Sequence, residues 1–260
     1  MSASAQTFSS GDATLRMENL SKNFRGFTAV KNLTLEIFRG SIHALIGPNG
    51  AGKTTVFNLA TKFLQPSGGR IYFNGRDITK TPPEAVARMG MVRSFQISAV
   101  FGQLTALENV RMALQRNRND NLYFWRSDRA LRNMDGRARE LLADVGLEGF
   151  ADRKAVELPY GRRRVLEIAT TLALDPELLL LDEPMSGLGQ EDVGRIAELI
   201  RRVALSRTVL MVEHNLSVVA DLSHRITVLA RGEVLADGTY AELVKNPAVI
   251  EAYLGSDHNG

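Results

Sequence analysis

Residues 47–55 read Gly-Pro-Asn-Gly-Ala-Gly-Lys-Thr-Thr, a complete loop of the form G-x-x-x-x-G-K-[ST]. Few short stretches restrict a chain so tightly. Gly47, Gly50 and Gly52 let the backbone curl so that its N–H groups point inward around phosphate oxygens. Lys53 supplies a point charge for the β- and γ-phosphates, and the Thr54 hydroxyl is placed to ligate Mg²⁺. Pro48, Asn49, Ala51 and Thr55 complete the expected cofactor-binding set. Such a loop works between a strand and a helix, and both are legible. Ser41 to Ile46 reads as a buried strand, and Thr54 to Leu64 as a helix whose positive end faces the phosphates. The order implies an α/β fold built on a P-loop core.

A second constellation supports this. Leu178-Leu179-Leu180-Leu181-Asp182-Glu183 is an apolar run ending in two carboxylates. A buried strand delivers Asp182 to the sheet edge, where it can hold Mg²⁺. Glu183 is then placed to polarise an attacking water as general base.

Around these motifs the chain divides in an ordered way. A Ser/Ala-rich head (1–13) reads as disordered. Thr14 to Leu20 and Leu33 to Phe38 read as strands, the second with the alternation of a half-buried one. Arg70 to Phe73 with the Asn74-Gly75 turn, and Met91 to Phe95, read as further strands. From 98 to 157 the pattern becomes helical and charged, with Leu104, Leu107, Val110, Met112 and Leu114 recurring on one side; this reads as an inserted helical subdomain. The α/β pattern returns over 158–241. Val165, Ile168, Ala169 and Leu172 keep helical spacing, and Val193 to Ala204 form an amphipathic helix before a strand at Thr208 to Val212. A hairpin over Ile226 to Ala236 turns at Arg231-Gly232, and short helices and a tail fill 242–260.

Composition removes several alternatives. The 260 residues include no cysteine, so disulfides and thiolate metal sites are excluded. The net charge of +3 is dispersed, and no basic stripe marks a nucleic-acid footprint. The head lacks the basic start and apolar core of a secretory signal. No apolar run approaches the roughly twenty residues needed to span a bilayer. A soluble chain is expected, with any membrane role supplied through partners.

With these motifs in this order, the chain resembles the nucleotide-binding subunit of an ABC transporter over nearly all its length. The resemblance implies a P-loop NTPase core of ABC type, an N-terminal antiparallel β subdomain (within 14–97) and the inserted helical subdomain, with ATP and Mg²⁺ bound. Gln96, in Arg93-Ser94-Phe95-Gln96, matches the loop glutamine that meets Mg²⁺ or the attacking water. His214, after the 208–212 strand, matches the switch histidine that contacts the γ-phosphate. Phe24 matches the aromatic that stacks on adenine, and Val30 joins the nucleotide-contacting set. The family signature, Leu-Ser-Gly-Gly-Gln in consensus, corresponds here to Leu158-Pro159-Tyr160-Gly161-Arg162. In the family this element caps the γ-phosphate bound by a second cassette, so a dimer is implied.

The departures are specific. Pro159 has neither the hydroxyl nor the backbone N–H of the consensus serine, although proline suits a first helical turn. Gly189 stands where the family has an aspartate. Intact Lys53, Asp182, Glu183 and His214 beside these changes imply a competent site of its own and a weakened contribution to its partner's. That points to a different cassette as partner, with a homodimer as the alternative. Gly90 to Gln96, Leu104 to Val110, the Pro-Tyr-Gly signature and the ending Glu251 to Gly255 resemble branched-chain amino acid importers, and the insert around Tyr123-Phe124-Trp125 resembles their larger ATPase. Cassettes of urea or short-amide importers and of lipopolysaccharide export are the related alternatives, and a soluble non-transport ATPase is a more distant one. The resemblance implies permease subunits, an indirect solute-binding partner, no nucleic acid, and the cytoplasmic face of the membrane.

Overall fold

The computed structural model describes residues 12–94, 100–116 and 128–254. Two sheets organise them. Strands β1 (Ala13–Phe24) and β2 (Phe27–Phe38) form an antiparallel hairpin around Gly26, and β4 (Gly68–Phe73) and β5 (Arg76–Asp77) extend the sheet in the order β2-β1-β4-β5. Both hairpin strands run beyond the expected 14–20 and 33–38. Register shifts after Met17 and Leu20 let pairing continue past polar residues that interrupt the apolar alternation.

The larger sheet has the order β10-β9-β3-β8-β7-β6. Its strands are β3 (Ile42–Ile46), β6 (Met91–Arg93), β7 (Leu178–Asp182), β8 (Thr208–Val212), β9 (Arg225–Ala230) and β10 (Glu233–Gly238). β10 runs antiparallel to β9, and the other pairings are parallel. β3, β7 and β8 are buried at every position. Their unbroken apolar runs have the composition of strands covered on both faces.

Alternate residues serve different layers. Leu45, Leu178, Leu180, Leu210 and Val212 join a core shared with α1 (Lys53–Ala60) and the antiparallel sheet. Ile42, Ala44, Leu179, Leu181, Val209 and Met211 join the opposite core. That second core holds α5 (Tyr160–Leu172), α6 (Gln190–Ala204) and α7 (Leu216–Leu222). It also receives α3 (Ala106–Arg116) and α4 (Asp128–Asp144), which lie in sequence between β6 and β7. The short α2 (Pro83–Arg88), with proline at its first turn, precedes β6.

Three local expectations are corrected. The helix after the glycine loop ends at Ala60, not Leu64, because Lys62 takes φ +64 and Leu64 N–H turns back to the Asn58 carbonyl. Met112 is 42% exposed while Leu107 and Val110 are buried, so it lies off the apolar stripe of α3. The strand begun at Met91 ends at Arg93, and Phe95 lies outside the described residues.

Candidate nucleotide site

Strand order decides where the motifs meet. Leu45 of β3 is in register with Val212 of β8, and Val212 with Asp182 of β7. The carboxyl ends of three adjacent strands therefore open on one edge. The loop 47–52 leaves β3 there, Glu213 and His214 leave β8, and Glu183 leaves β7. Ligands of open α/β sheets bind at this edge.

The loop's shape depends on its glycines. Gly47, Gly50 and Gly52 take φ of +150, +77 and +102. A Cβ on Gly47 would stand 2.2 Å from the Leu229 carbonyl oxygen, and one on Gly52 would stand 2.8 Å from that of Ala29. Lys31 N–H donates to the Gly232 carbonyl and Gly232 N–H to that of Ala51. The β9–β10 turn and β2 thus brace the loop from behind. Val30, expected among the nucleotide contacts, is fully buried beside Gly52, so it forms part of that brace rather than an open wall. Helix α1 starts from Gly52 with no side-chain cap and no acidic residue in its first turn. Its leading N–H groups form a ready anion site.

Lys53 Nζ donates to the carbonyls of Gly47 (2.6 Å) and Pro48 (2.9 Å). Burial pushes its ammonium below the ordinary lysine value, and the charge of Glu183 pulls the other way. Glu183 is therefore within electrostatic reach of the loop. It takes φ +45, an uncommon conformation for a non-glycine residue, and its N–H donates to the Val212 carbonyl at 2.9 Å. His214 is on the exposed side of its turn, with its side chain 65% accessible. Thr54 is exposed at the start of α1. At the β1–β2 tip, Phe24 is 44% exposed under the Lys22 ammonium, 5.2 Å from its ring centre. Gln96 lies outside the described residues.

Asp182 is buried, and its Oδ2 accepts from the Arg93 guanidinium; that pair is its side-chain hydrogen bonding among the described residues. Arg93 also donates to Asn58 Oδ1 at 2.6 Å and stacks over Phe57, both on α1. Asp182 and the Thr54 hydroxyl are hard oxygen donors. Mg²⁺ takes such a pair together with substrate phosphates and water. Among the described residues no group of three or more acidic or histidine side chains is placed to hold a metal ion by itself.

Three side chains that the linear motifs do not flag, two of them buried and Arg93 partly so, hold these turns. Arg164 of α5 donates to the carbonyls of Asp182 (2.8 Å) and Glu183 (3.1 Å) and pairs with Glu167 at 2.6 Å. Burial raises the Glu167 carboxyl while Arg164 opposes that shift. Arg93 and Glu213 are the other two. The signal available in sequence was weak: a charged residue inside an apolar helical stripe or at a strand end.

The signature segment belongs elsewhere. Pro159 caps α5, Leu158 is buried and Tyr160 is exposed. Tyr160 Oη donates to the Ser186 carbonyl at 3.3 Å, joining the segment to the 186–189 loop. Gly161 permits close approach, and what approaches is the Asp192 carboxylate of α6, 2.2 Å from where a Cβ would stand. Among the described residues no hydrogen bond joins 158–161 to the loop 47–55.

A glycine loop at the end of β3, acids at the end of β7 and a histidine after β8 define a P-loop nucleotide-binding cassette. The chain belongs to the ABC transporter family: the family model for ABC transporters matches residues 30–186, and that of the branched-chain amino acid ATP-binding cassette transporters matches 233–259. It is 39% identical over 251 residues to the high-affinity branched-chain amino acid transport ATP-binding protein BraF of Pseudomonas aeruginosa, covering 93% of this chain and 97% of that one. The solved ADP conformation of MJ1267, an ATP-binding cassette of an ABC transporter, superposes with a TM-score of 0.82 at 29% identity over 94% of this chain and 99% of that one. A dimeric post-hydrolysis structure of the cassette MJ0796, bound to ADP and Pi, superposes with a TM-score of 0.75 at 26% identity, covering 86% and 98%. As expected from sequence, the fold is of ABC type. No described helix is long and apolar enough to cross a membrane.

Proposed function

We propose that this chain binds and hydrolyses ATP to drive import of branched-chain amino acids through membrane subunits it does not itself contain. The observation that carries the chemistry is the register Leu45–Val212–Asp182, which brings loop, histidine and acids to one edge. The cargo reading rests on the likeness to BraF and on the C-terminal family match.

In this reading the loop N–H groups and the start of α1 hold the phosphates, and Lys53 turns from its own loop carbonyls onto them. Thr54 and Asp182 would hold Mg²⁺, which would supply positive charge beside the phosphate oxygens. Glu183 takes the proton of the attacking water as it closes on the γ-phosphate. His214 donates to that phosphate, Gln96 orients the water or ion, and the Phe24 ring stacks on the base. Leu158 to Gly161 complete the site of a second cassette; among the described residues no hydrogen bond ties them to this chain's own loop, which supports that use. Pro159 and Gly189 favour a different cassette in that place. Closure of the dimer is driven by ATP only to the extent that the closed state binds it more tightly. Coupling to permease subunits runs through the Gln96 loop and the helical insert at the cytoplasmic face, with a solute-binding protein beyond the membrane.

The test is purification of the full chain with the membrane subunits it co-purifies with, followed by ATPase assay in vesicles. Magnesium-dependent hydrolysis stimulated by a loaded leucine- or valine-binding protein is expected. Hydrolysis indifferent to those amino acids would remove the cargo reading but leave the ATPase intact.

A further inference from the structure

We propose that Glu213 is a positioning residue that locks the histidine turn to the general-base turn, so that His214 and Glu183 act as one unit. The proposal rests on the roles given to those two residues above. Glu213 is 1% exposed, and no lysine or arginine pairs with it among the described residues. Its charge is met almost wholly by backbone. Oε1 accepts from His214 N–H (2.8 Å) and Asn215 N–H (3.1 Å), and Oε2 accepts from Met185 N–H (3.2 Å). The His214 ring nitrogen Nδ1 lies 3.5 Å from Oε1.

Those three donors belong to two different turns. Met185 sits two residues past Glu183, inside the turn closed by Ser186 N–H on the Glu183 carbonyl. His214 and Asn215 form the turn leaving β8, and Asn215 caps α7 through Val218 N–H. One carboxylate therefore spans the gap between the ends of β7 and β8 where both proposed catalytic side chains begin. A buried carboxylate without a cation is a costly way to gain stability, and an apolar residue would fill the volume more cheaply. What a carboxylate supplies is two acceptor oxygens in fixed directions, with bonds to N–H strengthened by its charge. The Glu183 turn does not depend on this bond to exist, because Arg164 holds the Asp182 and Glu183 carbonyls from the other side. The Glu183 N–H bond to the Val212 carbonyl also persists, so losing Glu213 should leave both turns folded while loosening Met185 relative to His214 and Asn215.

Glu213→Gln tests this at constant size. Its amide has one carbonyl oxygen, so either Met185 N–H or the His214–Asn215 pair must face an NH₂ donor. In the cassette assembled with its transporter subunits we expect kcat to fall about 10–100-fold, with KM and ATP affinity within about twofold of wild type. In a Glu183→Gln background the same change should cost little more, since it acts through that residue. A Glu213→Gln protein with wild-type kcat, beside an inactive Glu183→Gln control, would overturn the proposal and leave the base assignment standing. A Glu183→Gln control with wild-type turnover would instead overturn the reading on which it rests. Parallel loss of ATP binding and kcat, or additive losses in the double variant, would show a merely structural role and also overturn it. Should Glu213→Gln fail to fold, Glu213→Asp keeps the charge but shortens the reach; it should fold and show the same split between kcat and KM, and wild-type kcat there would count against the lock.

Discussion

The nucleotide edge and the signature segment are built on opposite plans. The edge draws Lys53, Asp182, Glu183 and His214 from three neighbouring strands whose register is set by backbone hydrogen bonds. Buried and partly buried charges then fix the turns: Arg93 on Asp182, Arg164 on the carbonyls beside it, and Glu213 across the gap. The signature segment hangs on one helix start, with Tyr160 tied to Ser186 and Asp192 against Gly161. Its Pro159 offers no hydroxyl and no side-chain cap. One region is braced from several elements at once; the other exposes Pro159 and Tyr160 at a single helix start, between buried Leu158 and Gly161.

The widest separation of the two regions comes from Glu183→Gln. Turnover should fall about 10²–10⁴-fold while ATP still binds, and size-exclusion chromatography with ATP should show dimer accumulating. Unchanged turnover would place the base outside the β7 turn.

A second test concerns the sheet beneath the edge. His43 of β3 is fully buried, with Nε2 2.7 Å from Thr227 Oγ1, and Thr227 in turn donates to Asp237. Burial lowers its pKa to about 4, with the Asp237 charge raising it and Arg225 lowering it further. An unfolded histidine titrates near 6.5, so between about pH 6.5 and 4 the unfolded chain takes up a proton that the fold refuses. Stability is therefore full above about pH 6.5, declines as pH drops through this window, and levels off below about 4. The linked loss is about 3 kcal/mol. His43→Gln keeps a partner for Thr227 without titrating, so its denaturation midpoint should vary much less with pH. His224, whose Nδ1 accepts from Ile42 N–H and whose pKa burial also lowers, would leave a residual slope of the same sign.

The smallest effect belongs to the signature. Pro159→Ser restores a cap and a hydroxyl at a position whose ψ of 151 already suits an N-cap. Turnover at the facing site should rise a few-fold, corresponding to about 1 kcal/mol. Single-site turnover unchanged by this substitution would mean that Pro159 does not weaken the segment.

Legibility in the linear chain followed the range of the interaction concerned. The loop 47–55, the apolar run into Asp182-Glu183 and the hairpin turn at Arg231-Gly232 are local patterns, and they sit where the periodicity placed them. Expectations that ignored distant neighbours slipped. Met112 was set on the apolar stripe of α3 but is 42% exposed. The helix expected to reach Leu64 stops four residues earlier, at Ala60, because the Lys62 backbone turns left-handed and the Lys62 ammonium docks on the Thr79 carbonyl.

The amino-acid order by itself determined a phosphate-binding α/β chain with paired acids, since the glycine loop and the acid pair each lie within about ten consecutive residues. Only the tertiary structure decided that Arg93 meets Asp182 across 89 positions, and that Glu213 joins a turn 28 residues upstream. The physical reason is that a parallel sheet brings together strand ends whose spacing along the chain is arbitrary. A buried charge declares its partner only when strand order has set them side by side.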